Sequence, residues 1–338
     1  MNKDIIILGI ESSCDDTSAA ILQGQKILSN IVANQEVHTQ YGGVVPELAS
    51  RAHQQNIIPV VDAAIKKANI NKEDITAIAF TKGPGLLGSL LVGSSFSKSF
   101  AMGMDIPLIA VNHMQGHILS HFIDEEETMP QFPFLCLTVS GGHTQIVQVD
   151  SPNKMEVIGT TIDDAAGEAF DKSAKVLGLP YPGGPLIDKY AKKGDIHAFE
   201  FGKPKIKGLD FSFSGLKTSI LYKIQNNMQK NPKFIEENLA NLCASIQHSI
   251  VSILLNKLEE AIKQTGIKEL AIAGGVSANS YLRSELKNLA KNKGYQLYIP
   301  KFEYCTDNAA MIAIAGYFKY LDKDFADQSE TPSARLPF

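Results

Sequence analysis

The sequence predicts an α/β protein made of one unit used twice. Three observations predict it. Short apolar runs suited to buried strands alternate with longer runs of helical period, and glycine-rich turns follow several of the strands. The order of elements in the first third of the chain then starts again near residue 132. Each half reads as strand, polar turn, strand, long helix, strand, glycine turn, helix, and a last strand leading into a polar helix start. No obvious residue identity links the copies, so the duplication rests on the order of elements. Two such halves facing each other about a pseudo-twofold axis would make a two-lobe molecule with a central cleft lined by glycine turns and helix starts. The expected division is an N-terminal lobe at 1–126, a C-terminal lobe at 132–323 with an insert at about 151–233, and a loose polar tail at 324–338.

The chain has 338 residues, enough for two domains and a substantial core. It is 44% hydrophobic and 20% charged, with a formal net charge of −4, so no overall basic field draws the surface onto a polyanion. Arginine occurs only at Arg51, Arg283 and Arg335, which leaves phosphate contacts to lysine, backbone N–H groups and helix N-termini. Cys14, Cys136, Cys243 and Cys305 lack metal-type C-x-x-C spacing, and three lie in or beside apolar runs, as reduced structural thiols do. The apolar run Ile5 to Ile10 is too short for a signal segment and lacks a basic flank, and nothing approaches a membrane span. The protein is expected in the cytoplasm.

In the first half, Ile5 to Ile10 and Ser18 to Leu22 read as strands joined by Glu11-Ser12-Ser13-Cys14-Asp15-Asp16-Thr17. Such a tip can present N–H groups and hydroxyls to an anion, or be turn chemistry alone. Two weak strands are expected after Gly24, then a loop through Gly42 and Gly43 and a helix from about Glu47 to Ala68, kinked at Pro59. Strand Ile75 to Phe80 runs into Gly83-Pro84-Gly85 and a helix to about Met102 carrying Gly88, Ser89, Gly93, Ser94 and Ser95. Small residues there serve close packing or close approach of a ligand to the helix start. Strand Pro107 to Val111 follows, and after the His113 segment a connector from Asp124 to Pro133.

In the second half, strand Phe134 to Val139, turn Ser140-Gly141-Gly142-His143 and strand Thr144 to Val149 repeat the opening hairpin. Within the insert, Asp163 or Asp164 stands as N-cap of a helix containing Asp171, and Pro182-Gly183-Gly184-Pro185 makes a rigid loop ahead of Asp188. Phe211 to Thr218 reads as a hairpin-to-helix junction, and Lys203, Lys205 and Lys207 form the nearest thing to a basic patch. A helix from about Glu236 to Thr265 closes at Gly266, strand Leu270 to Ala273 meets Gly274-Gly275, and Asn279 opens a helix. Strand Gln296 to Pro300, the segment Tyr304 to Asn308 and a helix from Ala309 to Tyr320 complete the copy.

The chemistry-bearing stretch is His113-Met114-Gln115-Gly116-His117. Two histidines four apart on a helix share a face, with Cβ atoms roughly 6 Å apart, a spacing at which two imidazoles can share a metal ion. The plainer alternative is one buried, hydrogen-bonded histidine and one facing water. The duplication supplies a third ligand, because Asp307 occupies in the second half the place of the histidine pair in the first. Two histidines and one aspartate leave positions open for water or substrate, as a working metal site requires.

Several phrases, in this order, resemble one family: Gly9-Ile10-Glu11-Ser12-Ser13-Cys14-Asp15-Asp16-Thr17, Gly43-Val44-Val45-Pro46-Glu47-Leu48-Ala49-Ser50-Arg51-Ala52-His53, Gly83-Pro84-Gly85-Leu86, His113-Met114-Gln115-Gly116-His117, Val139-Ser140-Gly141-Gly142-His143-Thr144, Gly274-Gly275-Val276-Ser277-Ala278-Asn279 and Thr306-Asp307-Asn308. The chain is similar along nearly its whole length to the TsaD (Gcp/Kae) family of tRNA N6-adenosine threonylcarbamoyltransferases. The resemblance implies the duplicated actin/Hsp70/sugar-kinase (RNase H-like) fold. It implies transfer of threonylcarbamoyl from threonylcarbamoyl-AMP to N6 of the adenosine 3′ of the anticodon in tRNAs reading ANN codons. It implies one divalent metal, iron or zinc, on His113, His117 and Asp307, and a substrate site of Val139, Ser140, Gly141, Gly142, His143, Asp171, Gly184, Asp188 and Asn279, where ATP, ADP or AMP could also sit. The implied partners are tRNA, a TsaB-like paralogue, a TsaE-like ATPase and a TsaC-like enzyme that makes the adenylate, with no membrane.

A carbamoyl group joined to AMP is already activated. The enzyme must align two large substrates, polarise an oxygen and stabilise departing AMP. Glu11, Asp15 or Asp16 is the candidate base. A zinc peptidase is the rival from another class, but its helix needs glutamate after the first histidine, and Met114 stands there. A small-molecule kinase of the same fold would use Mg²⁺ on carboxylates and water and give the histidines no task. A non-catalytic scaffold would need no ligand set.

Overall fold

The computed structural model describes residues 5–35, 38, 41, 43–123, 128–202, 204 and 206–338. Gly42, the acidic residues 124–127 of the expected connector, Lys203 and Lys205 lie outside the described residues. The first elements are β1 (Ile6–Glu11), β2 (Thr17–Gln23), β3 (Lys26–Ala33), α1 (Pro46–Ala68), β4 (Ala77–Gly83), α2 (Leu87–Met104), β5 (Leu108–Asn112) and α3 (His113–Leu119). Then come β6 (Phe134–Val139), β7 (Thr144–Ser151), β8 (Lys154–Thr160), α4 (Ala166–Val176), α5 (Gly183–Ala191), α6 (Ser214–Met228) and α7 (Phe234–Thr265). The last are β9 (Glu269–Ala273), α8 (Ser280–Lys293), β10 (Gln296–Tyr298) and α9 (Ala309–Leu321). One strand follows Gly24 where two were expected, and α1 runs through Pro59 as one helix.

Two compact units result: Met1–Pro130 with Ser151–Met155 and Pro300–Phe338, and Gln131–Asp150 with Glu156–Ile299. The first holds a sheet of order β3-β2-β1-β4-β5, with β1 antiparallel to β2 and parallel to β4. Every residue of β1 is buried, because both faces of this central strand are covered. Ile6, Leu8 and Ile10 pack with Ile57, Val60 and Val61 of α1. On the other face Gly9 meets α9, and a Cβ at residue 9 would stand 2.5 Å from the Ala309 carbonyl oxygen and 2.8 Å from Ala313 Cβ. Glycine is what lets that helix lie on the strand. On α2, a Cβ at Gly93 would collide with Ser12 Oγ, so the small residue there serves close packing against the β1–β2 turn.

The second unit repeats the pattern. Its sheet has order β10-β9-β6-β7-β8, with β6 antiparallel to β7 and parallel to β9, and β9 parallel to β10. Thus β6 to β10 correspond to β1 to β5; the order of elements in the sequence predicts the repeat except for β8, which lies inside the expected insert. Leu135, Leu137 and Val139 of β6 share a core with Ile246, Ile250 and Leu254 of α7. By length and hydropathy α7 alone among the described helices could cross a membrane, but 61% of its apolar window is buried in the protein. It is the core helix of this unit.

The expected lobe boundary needs correction. Residues 300–323, assigned from sequence to the second lobe, close on the first unit. The cause is α9, which is buried from Ala309 to Tyr317 and packs on β1, β2 and β4 through small residues. The tail at 324–338 is not loose. Ala326 donates its N–H to the Leu108 carbonyl at 2.8 Å, Ser333 donates to the Lys82 carbonyl at 2.8 Å, and Glu330 pairs with Lys82 at 2.7 Å.

Candidate metal centre and glycine-lined pocket

In the first unit β5 ends at Asn112, whose side-chain oxygen accepts from the N–H groups of Met114 (2.9 Å) and Gln115 (3.4 Å). This cap starts α3 at His113 and puts His113 and His117 on one face, their rings 4.8 Å apart and nearly perpendicular. Asp307 precedes α9, which Asn308 caps by accepting from the Met311 N–H at 3.2 Å. Asp307 Oδ1 lies 3.2 Å from His117 Nε2 and 3.4 Å from His113 Nε2. The expectation that ligands come from opposite lobes is corrected, since all three belong to the first unit. The imidazole side chains are 10% and 1% exposed, whereas Asp307 keeps 29%, so the accessible side of the cluster is the carboxylate's.

Behind His113 stands Glu11, the last residue of β1 and fully buried. Its Oε2 lies 3.0 Å from His113 Nδ1 and accepts from Thr81 Oγ1 at 2.6 Å, while Oε1 accepts from the Ser13 N–H. Ser13 Oγ is 3.2 Å from the same Nδ1. A carboxylate on the far nitrogen fixes the ring of a metal-binding histidine and makes it a better donor. Glu11 thus orients His113. His117 lacks this support, for its Nδ1 is buried with no hydrogen-bond partner.

The electrostatics agree. Burial would raise the Glu11 carboxyl, but His113 holds it below its ordinary value. Asp307 is likewise lowered, against burial, by His113 and then His117. Burial disfavours the His113 imidazolium, yet Asp307 and Glu11 together raise it well above the usual histidine range. A field that draws a proton so strongly also favours a cation. Two donors about 2.1 Å from one ion stand roughly 3.0–3.4 Å apart at octahedral or tetrahedral angles, which matches the separations of Asp307 from both rings. His113, His117 and Asp307 each offer one ligand atom, all within 4.8 Å of one another, a set that fits a metal ion.

Asp15 and Asp16 sit half-buried in the β1–β2 turn. Burial, then Asp15, Asp307 and Glu11, push the Asp16 carboxyl up to about 7. The turn is braced by fully buried His53, whose Nδ1 is 2.7 Å from Thr17 Oγ1 and whose Nε2 is 3.0 Å from the Cys14 carbonyl. Burial lowers the His53 pKa, so it works there as a neutral bracket. His53 ends one of the family phrases, but only its proximity in space to the turn reveals this bracing role.

The second unit contains a pocket of about 270 Å³. Gly141, Asp171, Gly184, Asp188 and Asn279, all expected from sequence, line it, together with Phe170, Pro182, Gly275 and Val276, which were not singled out as site residues. Val139, Ser140, Gly142 and His143 do not line it. Val139 is a buried residue of β6, and Ser140 closes the β6–β7 turn by accepting the His143 N–H at 3.1 Å. Asp171 is engaged with backbone, Oδ1 accepting from the N–H groups of Gly183 (2.8 Å) and Gly184 (3.1 Å). Asp188 receives the Ser280 hydroxyl at 2.8 Å, and Asn279 caps α8 through Leu282 N–H while donating to Gln247 Oε1 at 2.8 Å. These side chains shape the pocket more than they reach into it. Neither Asp163 nor Asp164 caps α4, whose N-cap is Ala165. Asp163 instead accepts from Ser212, Phe213 and Ser214 at the start of α6, and Asp164 pairs with Lys172 at 2.7 Å.

A family model described as TsaD, tRNA N6-adenosine threonylcarbamoyltransferase, matches residues 26–314. The chain belongs to this family. A protein of that name from Christiangramia forsetii is 65% identical over 338 residues, covering 100% of this chain and 99% of its own. Those from Riemerella anatipestifer and Porphyromonas gingivalis are 62% and 59% identical, covering 98% of both chains and 99% of both chains respectively. The protein is therefore an enzyme, a transferase of the acyltransferase type. Among solved structures, HypF of T. kodakarensis aligns with TM-score 0.64 at 12% identity over 95% of this chain and 48% of that one. Component A of the Acidaminococcus fermentans (R)-2-hydroxyglutaryl-CoA dehydratase aligns with TM-score 0.52 at 16% identity over 94% and 99%. These likenesses place the fold in the duplicated actin-like class.

Proposed function

We propose that this enzyme moves the threonylcarbamoyl group of threonylcarbamoyl-AMP onto N6 of the adenosine 3′ of the anticodon in tRNAs that read ANN codons. The observation that carries the metal-assisted form of this reading is the His113, His117 and Asp307 cluster with buried Glu11 behind it. A divalent iron or zinc ion bound to those three residues would polarise an oxygen of the mixed anhydride. The 270 Å³ pocket suits the adenylate, or ATP, ADP or AMP. Phe170, Pro182 and Val276 offer apolar surface to a purine, and Gly141 and Gly275 let a phosphate approach the main chain.

Attack of N6 on the carbamoyl carbon breaks the bond to AMP and leaves a proton to be removed. Of the candidate bases we assign Asp16, which stands half-buried in the β1–β2 turn, where burial and then neighbouring Asp15 favour its holding a proton. Glu11 is committed to His113, Ser13 and Thr81. A net charge of −4 with three arginines supports tRNA capture by an assembly including TsaB-like and TsaE-like partners, supplied with adenylate by a TsaC-like enzyme in the cytoplasm. Met114, where a metallopeptidase needs glutamate, is 2% exposed and cannot activate water.

The test is a reconstituted assay with Zn²⁺ or Fe²⁺, synthetic adenylate and an ANN-decoding tRNA transcript. Modified adenosine is expected from the wild type and not from Asp307→Ala. Equal product from both would overturn the metal-assisted reading, and peptide cleavage without modified tRNA would overturn the transferase.

A further inference from the structure

We infer that the last residues of the chain, Ser333 to Phe338, are a strap that positions the metal centre, reaching His113 by two routes. The inference rests on the metal role proposed for His113, His117 and Asp307.

The first route is Asn112. Its Oδ1 caps α3, and its Nδ2 donates to the Pro337 carbonyl at 2.9 Å. A carbonyl oxygen can only accept, so Pro337 selects the amide orientation that turns Nδ2 outward and Oδ1 toward the helix. That orientation is the one that caps the turn where His113 begins. The two ends of one side chain thus join the C-terminus to the first ligand.

The second route is the turn at 83–86. Gly85 donates its N–H to the Ala334 carbonyl at 3.2 Å, and Ser333 donates to Lys82 at 2.8 Å. Gly83 has φ of +150°, and a Cβ there would collide with the Ser333 carbonyl, so strap and turn are fitted against each other. From the other side, Leu86 donates its N–H to the Ser13 carbonyl at 2.7 Å. Ser13 Oγ lies 3.2 Å from His113 Nδ1. The turn is held between the strap and the residue that helps Glu11 orient the ring.

The strap has no helix or strand of its own. A cavity of about 330 Å³, lined by Asn112, Gln115, Lys319, Glu330, Leu336 and Phe338, adjoins it, so beyond the close fit at Gly83 hydrogen bonds fix its course. Removing Pro337 and Phe338 should therefore disturb the cap without opening the core.

The experiment titrates Co²⁺ into the full chain, a chain ending at Leu336, Asn112→Asp, the combination of the last two, and His117→Ala, reading the visible absorption that reports coordination geometry. Aspartate keeps the capping oxygens but cannot donate to Pro337. The shortened chain and Asn112→Asp should each bind Co²⁺ about tenfold more weakly with an altered band, the low end of what losing an outer partner of a ligand costs. The combination should be no more than about twofold worse than either, because both remove one link. Wild-type affinity and spectrum in the shortened chain, or losses that multiply in the combination, would overturn the strap while leaving the metal reading intact. Equal binding by the full chain and His117→Ala would overturn the metal reading, and the strap with it.

Discussion

The two five-stranded sheets share strand order and pairing, yet the sites built on them are of opposite kinds. In the first unit the chain leaves β1 and β5 through side chains that ionise, so Glu11, His113 and Asp307 converge within hydrogen-bonding distance in a buried, charged cluster. In the second unit β6, the counterpart of β1, leads into Ser140-Gly141-Gly142, and glycine, proline and valine line the pocket beside Phe170, Asp171, Asp188 and Asn279. Its carboxylates, Asp171 and Asp188, are spent on backbone N–H and hydroxyl groups. One sheet presents ionised side chains and the other presents main chain. Duplication supplied the scaffold, and the residues at the strand ends decided what each site presents.

The contrast can be broken most sharply at Asp307. Asp307→Ala should lose more than about a hundredfold in transfer activity together with bound metal, since loss of a ligand exceeds the ten- to hundredfold typical of outer partners. Metal content by elemental analysis beside a transfer assay checks this. Next is Glu11→Gln, which keeps the shape but replaces the anion behind His113. Metal affinity should fall about tenfold to a hundredfold with little change in KM for the adenylate. The counterpart in the second unit is Asp171→Ala, which frees the N–H groups of Gly183 and Gly184. KM for the adenylate should rise about tenfold with metal affinity unchanged, because a pocket wall has been loosened and no ligand touched. If Glu11→Gln raised that KM and Asp171→Ala released metal, the division of labour between the units would be wrong.

Two smaller effects probe the scaffold. Gly9→Ala should cost roughly 1–3 kcal/mol in chemical denaturation, because the new methyl group meets Ala309 and Ala313 on α9. Asp163→Ala should cost at most about 1 kcal/mol, the scale of a helix cap, discounted because the carboxylate is solvent-exposed. Burial opposes ionisation of Asp163, but bonds from Ser212, Phe213 and Ser214 together lower its pKa in the folded state. Its contribution is therefore complete above about pH 4, the unfolded value, and fades as pH falls through the folded one. The gap between variant and wild type should close on acidification in denaturant melts at successive pH values.

The order of elements revealed the duplication because periodicity is a local property, as at β1 and β6, whose unbroken apolar runs mark strands covered on both faces. The histidine pair was legible for the same reason, since four residues on a helix are neighbours by geometry alone. The placing of α9 was not legible. A helix apolar on nearly every side gives no sign of which sheet it covers, and close fits such as Ala309 and Ala313 over Gly9 and Gly316 over Ala79 select the first. The expected cap at Asp163 or Asp164 failed because a carboxylate finds the helix start nearest in space, and that of α6 is made by residues some fifty positions away.

The sequence by itself determined the two sheets, the histidine spacing and the family, because these depend on neighbours along the chain. Tertiary structure alone decided that Asp307 belongs with the first unit, that Glu11 stands against His113, and that the polar tail is bonded to Asn112. Each of those depends on a contact between residues far apart in the chain, and such contacts exist only once the strands have paired and the helices have packed.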